Sequence, residues 1–316
     1  MGDDERKMTI SFKVLSAYYT GSIDKDSVAS LAKSKKIKWT APEIEEKMTK
    51  MNEVLAGDDF FSFWKSWGKS LRELTQEALA INFLVSMLKD WERKECPEKG
   101  DKLYSHFIRN ARELLDRSIY IYINSTWKGG SDGKLKDNLE WIDTSLSLWE
   151  PVPNNEWEKI VKEIIDNGSI NGQIYSNDDN VDSRIIPLIY YANALFQKSG
   201  PNPTVYKGGI EIDHIIPKSS INDSSDDFAK LNRSNLFNLE TLPKKENSWK
   251  RDKSLDDILR DAEGWKIQQI EENAYFKRDR FPAFSKPDQM MDLQKERGDI
   301  LKNIFSTMRL KNLAPP

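Results

Sequence analysis

The most readable part of this chain is residues 209–217, with the sequence Gly-Ile-Glu-Ile-Asp-His-Ile-Ile-Pro. Isoleucine favours β-strands and proline cannot donate to a strand ladder, so this run predicts a short strand that stops at its final residue. A connection rich in Ser, Asp and Asn follows at residues 218–234, and residues 235–242 predict a second short strand. Pro243 suits the first turn of a helix that carries Asn247. The predicted order is strand, long loop, strand and helix.

Asp213 and His214 stand side by side near the end of the first predicted strand. Histidine titrates near neutral pH and can take a proton from water, while a hard divalent cation can neutralise charge on a phosphate. Carboxylate and carboxamide oxygens suit Mg²⁺, so Asp213 and Asn247 are candidate ligands. Lys250 follows on the same helix face, where it could meet a phosphate. His106, the other histidine, lies beside an apolar helix stripe and is predicted to be a partly buried packing residue.

The spacing of these residues resembles a known nuclease motif. The chain reads Asp213-His-Ile-Ile-Pro-Lys-Ser, then Asn238, then Asn247-Ser-Trp-Lys-Arg-Asp, and this resembles the HNH motif of the ββα-metal endonucleases. The two asparagines are nine residues apart, as in the HNH domain of RNA-guided CRISPR effector nucleases. The phrase between them is similar to the HNH half of GmrSD-type modification-dependent restriction enzymes. The resemblance covers residues 210–253.

The resemblance implies a role for each matching residue. His214 would be the catalytic base that activates water, and Asp213 and Asn247 would bind one divalent metal, Mg²⁺ or Mn²⁺. Asn238 would be the middle residue of the motif, which orients the loop and the histidine. Lys250 would be an accessory phosphate or structural contact in the catalytic site.

Cysteine content and hydropathy restrict the kinds of metal site and the cellular compartment that the sequence predicts. The chain has 316 residues and one cysteine, which excludes a disulfide framework and a cysteine-based zinc site. We therefore expect no structural zinc, and a module held by its core with Trp249 as an anchor. The chain has no run of about 18 apolar residues, so the sequence predicts no membrane span. Its acidic N-terminus lacks the apolar segment of a secretory signal. These features predict a cytoplasmic protein with no membrane partner.

The net charge of the whole chain and the local charge near the proposed site differ in what they predict about nucleic-acid binding. The whole chain has 48 basic and 51 acidic residues, which by itself argues against a nucleic-acid partner. Residues 244–253, however, hold five basic and two acidic residues beside the proposed site. The predicted nucleic-acid contacts are Lys218, Lys244, Lys245, Lys250, Arg251 and Lys253. A second basic run, residues 33–38, fits a solvated surface equally well.

The predicted fold is mainly α, with an embedded ββα-metal HNH nuclease module. Helices are predicted at residues 40–55, 70–91, 101–117, 154–166 and 183–197. Residues 118–123 either extend the third helix or form a short strand. Prolines and a glycine at residues 199–203 mark a boundary. We therefore predict a helical region at 1–200 for positioning, sensing or partner binding, the module at 201–260, and a helical extension at 261–316 that packs on it.

The working hypothesis is a metal-dependent HNH endonuclease that hydrolyses DNA, which the resemblance places in prokaryotic defence against foreign or modified DNA. Two alternatives stay open: a non-catalytic scaffold that holds DNA or a partner, and an RNA-directed or toxin-like HNH nuclease. GmrSD-type enzymes also carry an N-terminal nucleotide-handling domain, which here would belong to a longer protein or a partner subunit. A single HNH site cuts one strand at a time, so double-strand breaks would need a homodimer or two visits.

Overall fold

The computed structural model describes residues 3–31, 40–66, 71–127, 129–145, 151–177, 180–198 and 209–314. This part of the chain is mainly helical, as the sequence predicts. A search of its helices finds none whose length and apolar character would let it cross a membrane. The chain divides into two compact units, one of residues 1–62, 70–152 and 313–316 and the other of residues 63–69 and 153–312.

The division between the units lies at residues 152–153, whereas the sequence predicts a boundary at 199–203, which lies outside the described residues. The helices Asn154–Asn167 and Ile185–Lys198 bury their apolar faces in the second unit. Proline and glycine mark where a helix ends, but the core that the helix joins depends on its apolar face. The basic run at 33–38 also lies outside the described residues.

The first unit is built around one deeply buried helix. The helices up to residue 145 are α1 (Asp3–Thr20), α2 (Lys25–Leu31), α3 (Ala41–Ala56), α4 (Asp59–Ser66), α5 (Leu71–Leu74), α6 (Glu77–Arg93), α7 (Tyr104–Ile123) and α8 (Ser131–Ser145). From Ala78 to Trp91, every residue of α6 except Leu84 is buried. Helices α1, α3, α7 and α8 pack against it, so the apolar stripe predicted from the sequence is the centre of this core.

In this unit the structure confirms one predicted helix start and decides one segment that the sequence left open between helix and strand. Helix α3 begins after Thr40, and the Glu43 carboxylate accepts a hydrogen bond from the Thr40 backbone N–H at 2.6 Å. This is half of a capping box, which satisfies a donor that the first turn leaves without a partner. Residues 118–123 continue α7 as helix and do not form a strand.

The helix predicted at residues 70–91 is instead interrupted. The Thr75 hydroxyl donates to the Leu71 carbonyl oxygen at 2.6 Å, which closes the short helix α5. Gln76 then has an extended backbone and precedes α6. Because threonine competes for helix carbonyls through its hydroxyl group, an apolar period alone does not reveal such a break.

The second unit holds all four strands of the described chain. Its helices are α9 (Asn154–Asn167), α10 (Ile185–Lys198), α11 (Lys218–Asn222), α12 (Asp227–Leu231), α13 (Lys244–Lys250), α14 (Leu255–Asp261), α15 (Gly264–Ala274), α16 (Met290–Asn303) and α17 (Arg309–Leu313). Its strands are β1 (Ser169–Ile170), β2 (Gln173–Ile174), β3 (Ile210–His214) and β4 (Leu239–Pro243). Turns of 3₁₀ helix lie at Leu236–Asn238, Arg278–Phe284 and Pro287–Gln289, and Ile304–Met308 is π-helical. Antiparallel β3 and β4 both contact α13.

An aromatic cluster and a polar cluster form the core behind these strands. Trp157 stacks on Phe305 with 5.1 Å between ring centres, and Tyr191 lies 6.0 Å from Trp157. Behind β4, the Asn273 side-chain oxygen accepts hydrogen bonds from the Thr241 hydroxyl at 2.9 Å and from the Asn193 amide at 3.0 Å. Buried polar groups that find partners in this way fix the position of the strand against the helices.

The segment predicted as a loop at residues 166–182 contains the β1–β2 hairpin, and the part after the hairpin contacts the residues that precede β4. Gly168 ends α9 with φ of 58°, and a Cβ there would lie 2.0 Å from the Ser176 Oγ atom. The Ser176 hydroxyl donates to the Leu231 carbonyl oxygen at 2.6 Å, and the Ser234 N–H donates to the Ser176 carbonyl oxygen at 2.8 Å. The end of α9 therefore fixes the loop that precedes β4.

Arg297 of α16 holds the same region from the C-terminal side. Its guanidinium, buried to 1% exposure, donates to the carbonyl oxygens of Leu236 at 3.0 Å, Phe237 at 2.8 Å and Ala274 at 2.9 Å. One side chain thus joins α15, α16 and the 3₁₀ turn before β4.

Candidate active site

The register of β3 and β4 determines which side chains share a face. Asp213 pairs with Glu240 and His214 pairs with Leu239. Because successive side chains of a strand point to opposite faces, Glu211, Asp213 and Glu240 belong to one face and His214 to the other. Ile210 and Ile215 on either side of them are buried, as are Leu239 and Leu242 of the paired strand, which holds β3 against the core.

Asn238 fastens the turn that directly follows His214. Its side-chain Oδ1 accepts from the Ile216 N–H at 2.9 Å, and its Nδ2 donates to the carbonyl oxygens of Arg233 at 2.8 Å and Ile216 at 3.3 Å. Its own carbonyl oxygen accepts from the Ile215 N–H at 2.8 Å. The fully buried side chain therefore uses both its donor and its acceptor to hold backbone, the geometry of a positioning residue.

His214 ends β3 in a largely buried position. Burial lowers its pKa from the ordinary 6.5 to about 4; Lys250, Lys218 and Arg233 act in the same direction, and the Asp213 carboxylate opposes them. The Nε2 atom lies 3.5 Å from the Ser234 Oγ atom, at the outer limit of a hydrogen bond. The imidazole is therefore neutral at neutral pH, the form that can accept a proton.

Lys250 lies beneath the strands and binds three oxygens. Its ammonium donates to the Asp213 carboxylate, donates to the His214 carbonyl oxygen at 2.6 Å, and lies 3.0 Å from Glu240 Oε1. Lys250 and Glu240 are both 0% exposed. The sequence predicts that Lys250 meets a phosphate, but a side chain enclosed in this way does not reach solvent. Its position is that of a structural contact, which is the other role implied by the resemblance.

Burial and charge act on this cluster in opposite directions. Burial lowers the pKa of Lys250, but the Asp213 and Glu240 carboxylates outweigh it, so the lysine pKa lies above its ordinary value. Burial raises the pKa of Glu240, against the attraction of Lys250. Lys250 is therefore charged, and each of its oxygen partners is held by that charge.

Asn247 reaches the same strand from α13. Its Nδ2 atom donates to the Glu211 carboxylate at 2.8 Å, and both residues are half-buried. Asn247 and Lys250 are three residues apart on α13, hence on one helix face, and each contacts a carboxylate of β3. The structure thus places all five predicted site residues on β3 or in contact with it or with the turn after it. Lys250 contacts Asp213 near the end of the strand and Asn247 contacts Glu211 near its start.

The donor atoms decide whether these residues suit a divalent cation. Asp213 offers a carboxylate with one oxygen held by Lys250, and Asn247 offers Oδ1 because its Nδ2 is used by Glu211. Within the described ranges, no three His, Cys, Asp or Glu side chains are grouped as a metal site. Mg²⁺ keeps several waters and needs only one or two protein carboxylates, so the donor atoms of Asp213 and Asn247 are of the type that Mg²⁺ prefers.

The basic residues around the site differ in exposure. Lys244, Lys245 and Arg251 are exposed, and Lys218 and Lys253 are partly exposed, whereas Lys250 is buried. Trp249, predicted as a core anchor, is only half-buried. The ammonium group of Lys253 lies over its ring, 4.1 Å from the ring centre. His106 is exposed on α7 and is therefore not the packing residue predicted from the sequence.

Comparison of the chain with protein-family models, curated proteins and solved structures gives no match. The functional argument therefore depends on the residues of the site and on the motif they form.

Sequence reasoning missed three side chains of this site. Glu240 lies directly across from Asp213, Glu211 contacts Asn247, and Ser234 lies near the His214 ring. A glutamate inside a short apolar strand was the available signal for Glu240, since an acidic residue is seldom fully buried unless it is paired. Its partner could not be named, because the strand register is set by tertiary packing.

Proposed function

We propose that this chain is a metal-dependent HNH endonuclease that hydrolyses DNA phosphodiester bonds, with β3, β4 and α13 as its ββα-metal unit. The main support for the proposal is the arrangement of the motif residues around β3. His214 ends a strand beside Asp213, Asn238 of the paired segment fastens the turn after it, and Asn247 contacts the same strand from the next helix. This arrangement supports the proposal, because motif residues from three separate segments of the sequence lie on β3 or contact it or the turn that follows it.

The proposed chemistry assigns proton transfer to His214. Its neutral imidazole accepts a proton from the attacking water, and the charge of the Asp213 carboxylate favours the imidazolium that forms. The water oxygen bonds to phosphorus, the bond from phosphorus to the 3′ oxygen breaks, and that oxygen takes a proton from solvent. Asp213 and Asn247 would hold a Mg²⁺ or Mn²⁺ ion, which when bound neutralises charge on the phosphoryl group. Lys250 occupies one oxygen of Asp213 and so fixes the orientation of that carboxylate.

The exposed basic residues support a polyanionic substrate. Lys244, Lys245 and Arg251 project from the start and end of α13, the helix that carries Asn247. Basic side chains of this kind contact phosphates and position a strand without reading its sequence. We infer cleavage of DNA, and on the motif resemblance alone we infer a role in the prokaryotic cytoplasm against foreign or modified DNA.

The proposal is tested by incubating supercoiled plasmid with Mg²⁺, with Mn²⁺ and with EDTA. Wild-type protein should nick the plasmid with either metal and lose that activity in EDTA. His214→Ala should lower the nicking rate by a factor of about 100 or more, the usual contribution of a general base. His106→Ala is the matched control, because it removes the other, exposed histidine and should leave the rate unchanged.

The same assay separates the alternatives. A wild-type protein that binds plasmid but never nicks it, with any metal, would favour a non-catalytic scaffold. Faster cleavage of RNA than of DNA would favour an RNA-directed or toxin-like nuclease. Nicking that survives His214→Ala would show that another group is the base. Plasmids from hosts with and without base modification would test the inferred defence role.

A further inference from the structure

Two tryptophans and two lysines form a surface between α13 and α15, defined here as the Trp249–Trp265 surface. Lys253 and Lys266 place their ammonium groups 4.1 Å and 4.7 Å from the centre of the Trp249 ring. Lys266 also lies 5.3 Å from the centre of the Trp265 ring. The two indoles are thus joined through one lysine.

The two lysines of this surface are not in ion pairs with any described residue, although the Glu263 carboxylate contacts the Trp265 indole N–H. Within the described residues, neither Lys253 nor Lys266 has a carboxylate within ion-pair distance. Two ammonium groups near one ring repel each other, and the attraction of the indole face offsets that repulsion only in part. A bound anion would offset this positive charge, and phosphate is the anion that the proposed substrate carries.

The aromatic part of the surface remains accessible. Trp265 is 44% exposed and Trp249 is half-buried. The Trp265 indole N–H donates to the Glu263 carboxylate, which uses one edge of that ring, and Lys266 lies over the ring, so the remaining exposed part of the indole is what a base could stack on. Aromatic faces beside basic side chains are typical of surfaces that bind unpaired nucleotides, because any base can stack on them.

The aromatic rings of this surface favour a substrate with unpaired bases over a base-paired duplex. In a duplex the bases are stacked on each other and paired, so they cannot present a face to an indole ring. In an unpaired strand, a base can stack while its phosphate meets an ammonium group. Trp249 belongs to α13, the same helix that carries Asn247 and Lys250 of the candidate site, so this surface and the site share one helix.

We propose that the Trp249–Trp265 surface is a nucleotide subsite that binds an unpaired stretch of the DNA strand next to the bond to be cut. The proposal depends on the proposed function only for the identity of the polymer. It gives the substrate class as DNA with locally unpaired bases, such as a single strand or the edge of an opened duplex.

The test is the affinity of the full chain for a fluorescein-labelled 12-nucleotide oligo(dT), measured by anisotropy in EDTA so that no metal-dependent cleavage occurs. Trp265→Ala should weaken binding at least about fivefold, the lower end of what one base–aromatic stack contributes. Lys266→Ala should make the plot of log Kd against log salt shallower by about 0.7. A self-complementary duplex of the same length should bind with little change between wild type and Trp265→Ala.

Two matched controls come from α16. Lys295→Ala removes an exposed lysine, and Met291→Ala removes an apolar side chain that is 62% exposed. Oligo(dT) affinities of Trp265→Ala and Lys266→Ala equal to those of these controls would overturn the proposal, as would no binding of oligo(dT) by wild type. Because this assay contains no metal, a protein that fails to nick plasmid can still satisfy it, and a nuclease can fail it.

Discussion

At the residue scale, Lys250 is the side chain that most directly holds the geometry of the site. We expect Lys250→Met to lower the free energy of unfolding by about 3 kcal/mol, because it leaves the Asp213 and Glu240 carboxylates facing each other without a cation. Urea denaturation followed by circular dichroism measures this change. Lys245→Met is the control: that side chain is exposed, and its loss should change stability by less than about 0.5 kcal/mol.

A double variant distinguishes a paired lysine from a merely buried one. Lys250→Met combined with Glu240→Leu removes one carboxylate with the ammonium and should recover part of the lost stability, since the remaining cluster holds one charge less. A single variant as stable as wild type would contradict the ion-pair cluster, because the lysine would then contribute nothing to the fold.

His214 provides a prediction about pH in the metal-free protein. Its folded-state pKa of about 4 lies below the ordinary 6.5, so folding favours the neutral ring. The stability that this preference contributes is fully present above pH 6.5 and is lost as the pH falls from there towards 4. NMR titration of ¹³C-labelled histidine in His106→Gln, which retains only one histidine, measures the value directly. A midpoint near 6.5 would contradict the buried environment.

At this scale the sequence predicts the chemistry but not the contacts. Asp213, His214, Asn238 and Asn247 could be named because their spacing is a one-dimensional property. Glu240 could not be linked to them, since its contact with Lys250 depends on the register of two strands separated by a long connection. For Lys250 the sequence left a phosphate contact and a structural contact open, and burial favours the latter.

At the scale of elements, the end of α9 is a sharp test of the fold. We expect Gly168→Ala to lower the free energy of unfolding by about 2 kcal/mol or more, because Gly168 has φ of 58° and a Cβ would lie 2.0 Å from Ser176 Oγ. Gly133→Ala, in the first turn of α8 with open space around it, should instead raise stability by about 0.5 kcal/mol. Thermal melts of both variants measure the contrast, and equal effects would contradict the turn.

Elements were predicted well where one local signal dominates. The start of α3 follows from Thr40 and Glu43. The strand predicted from the isoleucine-rich run is β3, although it ends at His214, three residues before the proline. Helices α9 and α10 were predicted within two residues of their bounds. The break at Thr75 was not predicted, because it leaves the apolar period unchanged. The β1–β2 hairpin was missed although its turn, Asn171-Gly172, has the positive φ angles of 51° and 74° that this residue pair favours.

At the scale of the whole molecule, Arg297 connects the C-terminal helices to the site. We expect Arg297→Met to lower the free energy of unfolding by about 3 kcal/mol, because it leaves three buried carbonyl oxygens without their donor. Arg280→Met, which breaks an ion pair of a 47% exposed arginine with Glu296, should cost less than about 1 kcal/mol. Chemical denaturation of the two variants gives the comparison. Equal losses would mean that Arg297 does not support the turn before β4.

The division into units was the least predictable feature of the molecule. Composition changes at residues 199–203, but α9 and α10 belong to the same unit as β3 and β4. Sequence breaks show where the backbone turns, whereas unit membership depends on which apolar faces meet. Such contacts are non-local, so no window of the sequence contains them.

The contacts of Arg297 also set the order in which the candidate site can form during synthesis. The ribosome adds about 5–20 residues each second, and His214 leaves it long before Arg297 does. Until Arg297 emerges, the 3₁₀ turn before Asn238 lacks the guanidinium that holds Leu236 and Phe237. A nascent chain that already carries every motif residue would therefore still lack a fixed candidate site until its C-terminal helices have been synthesised.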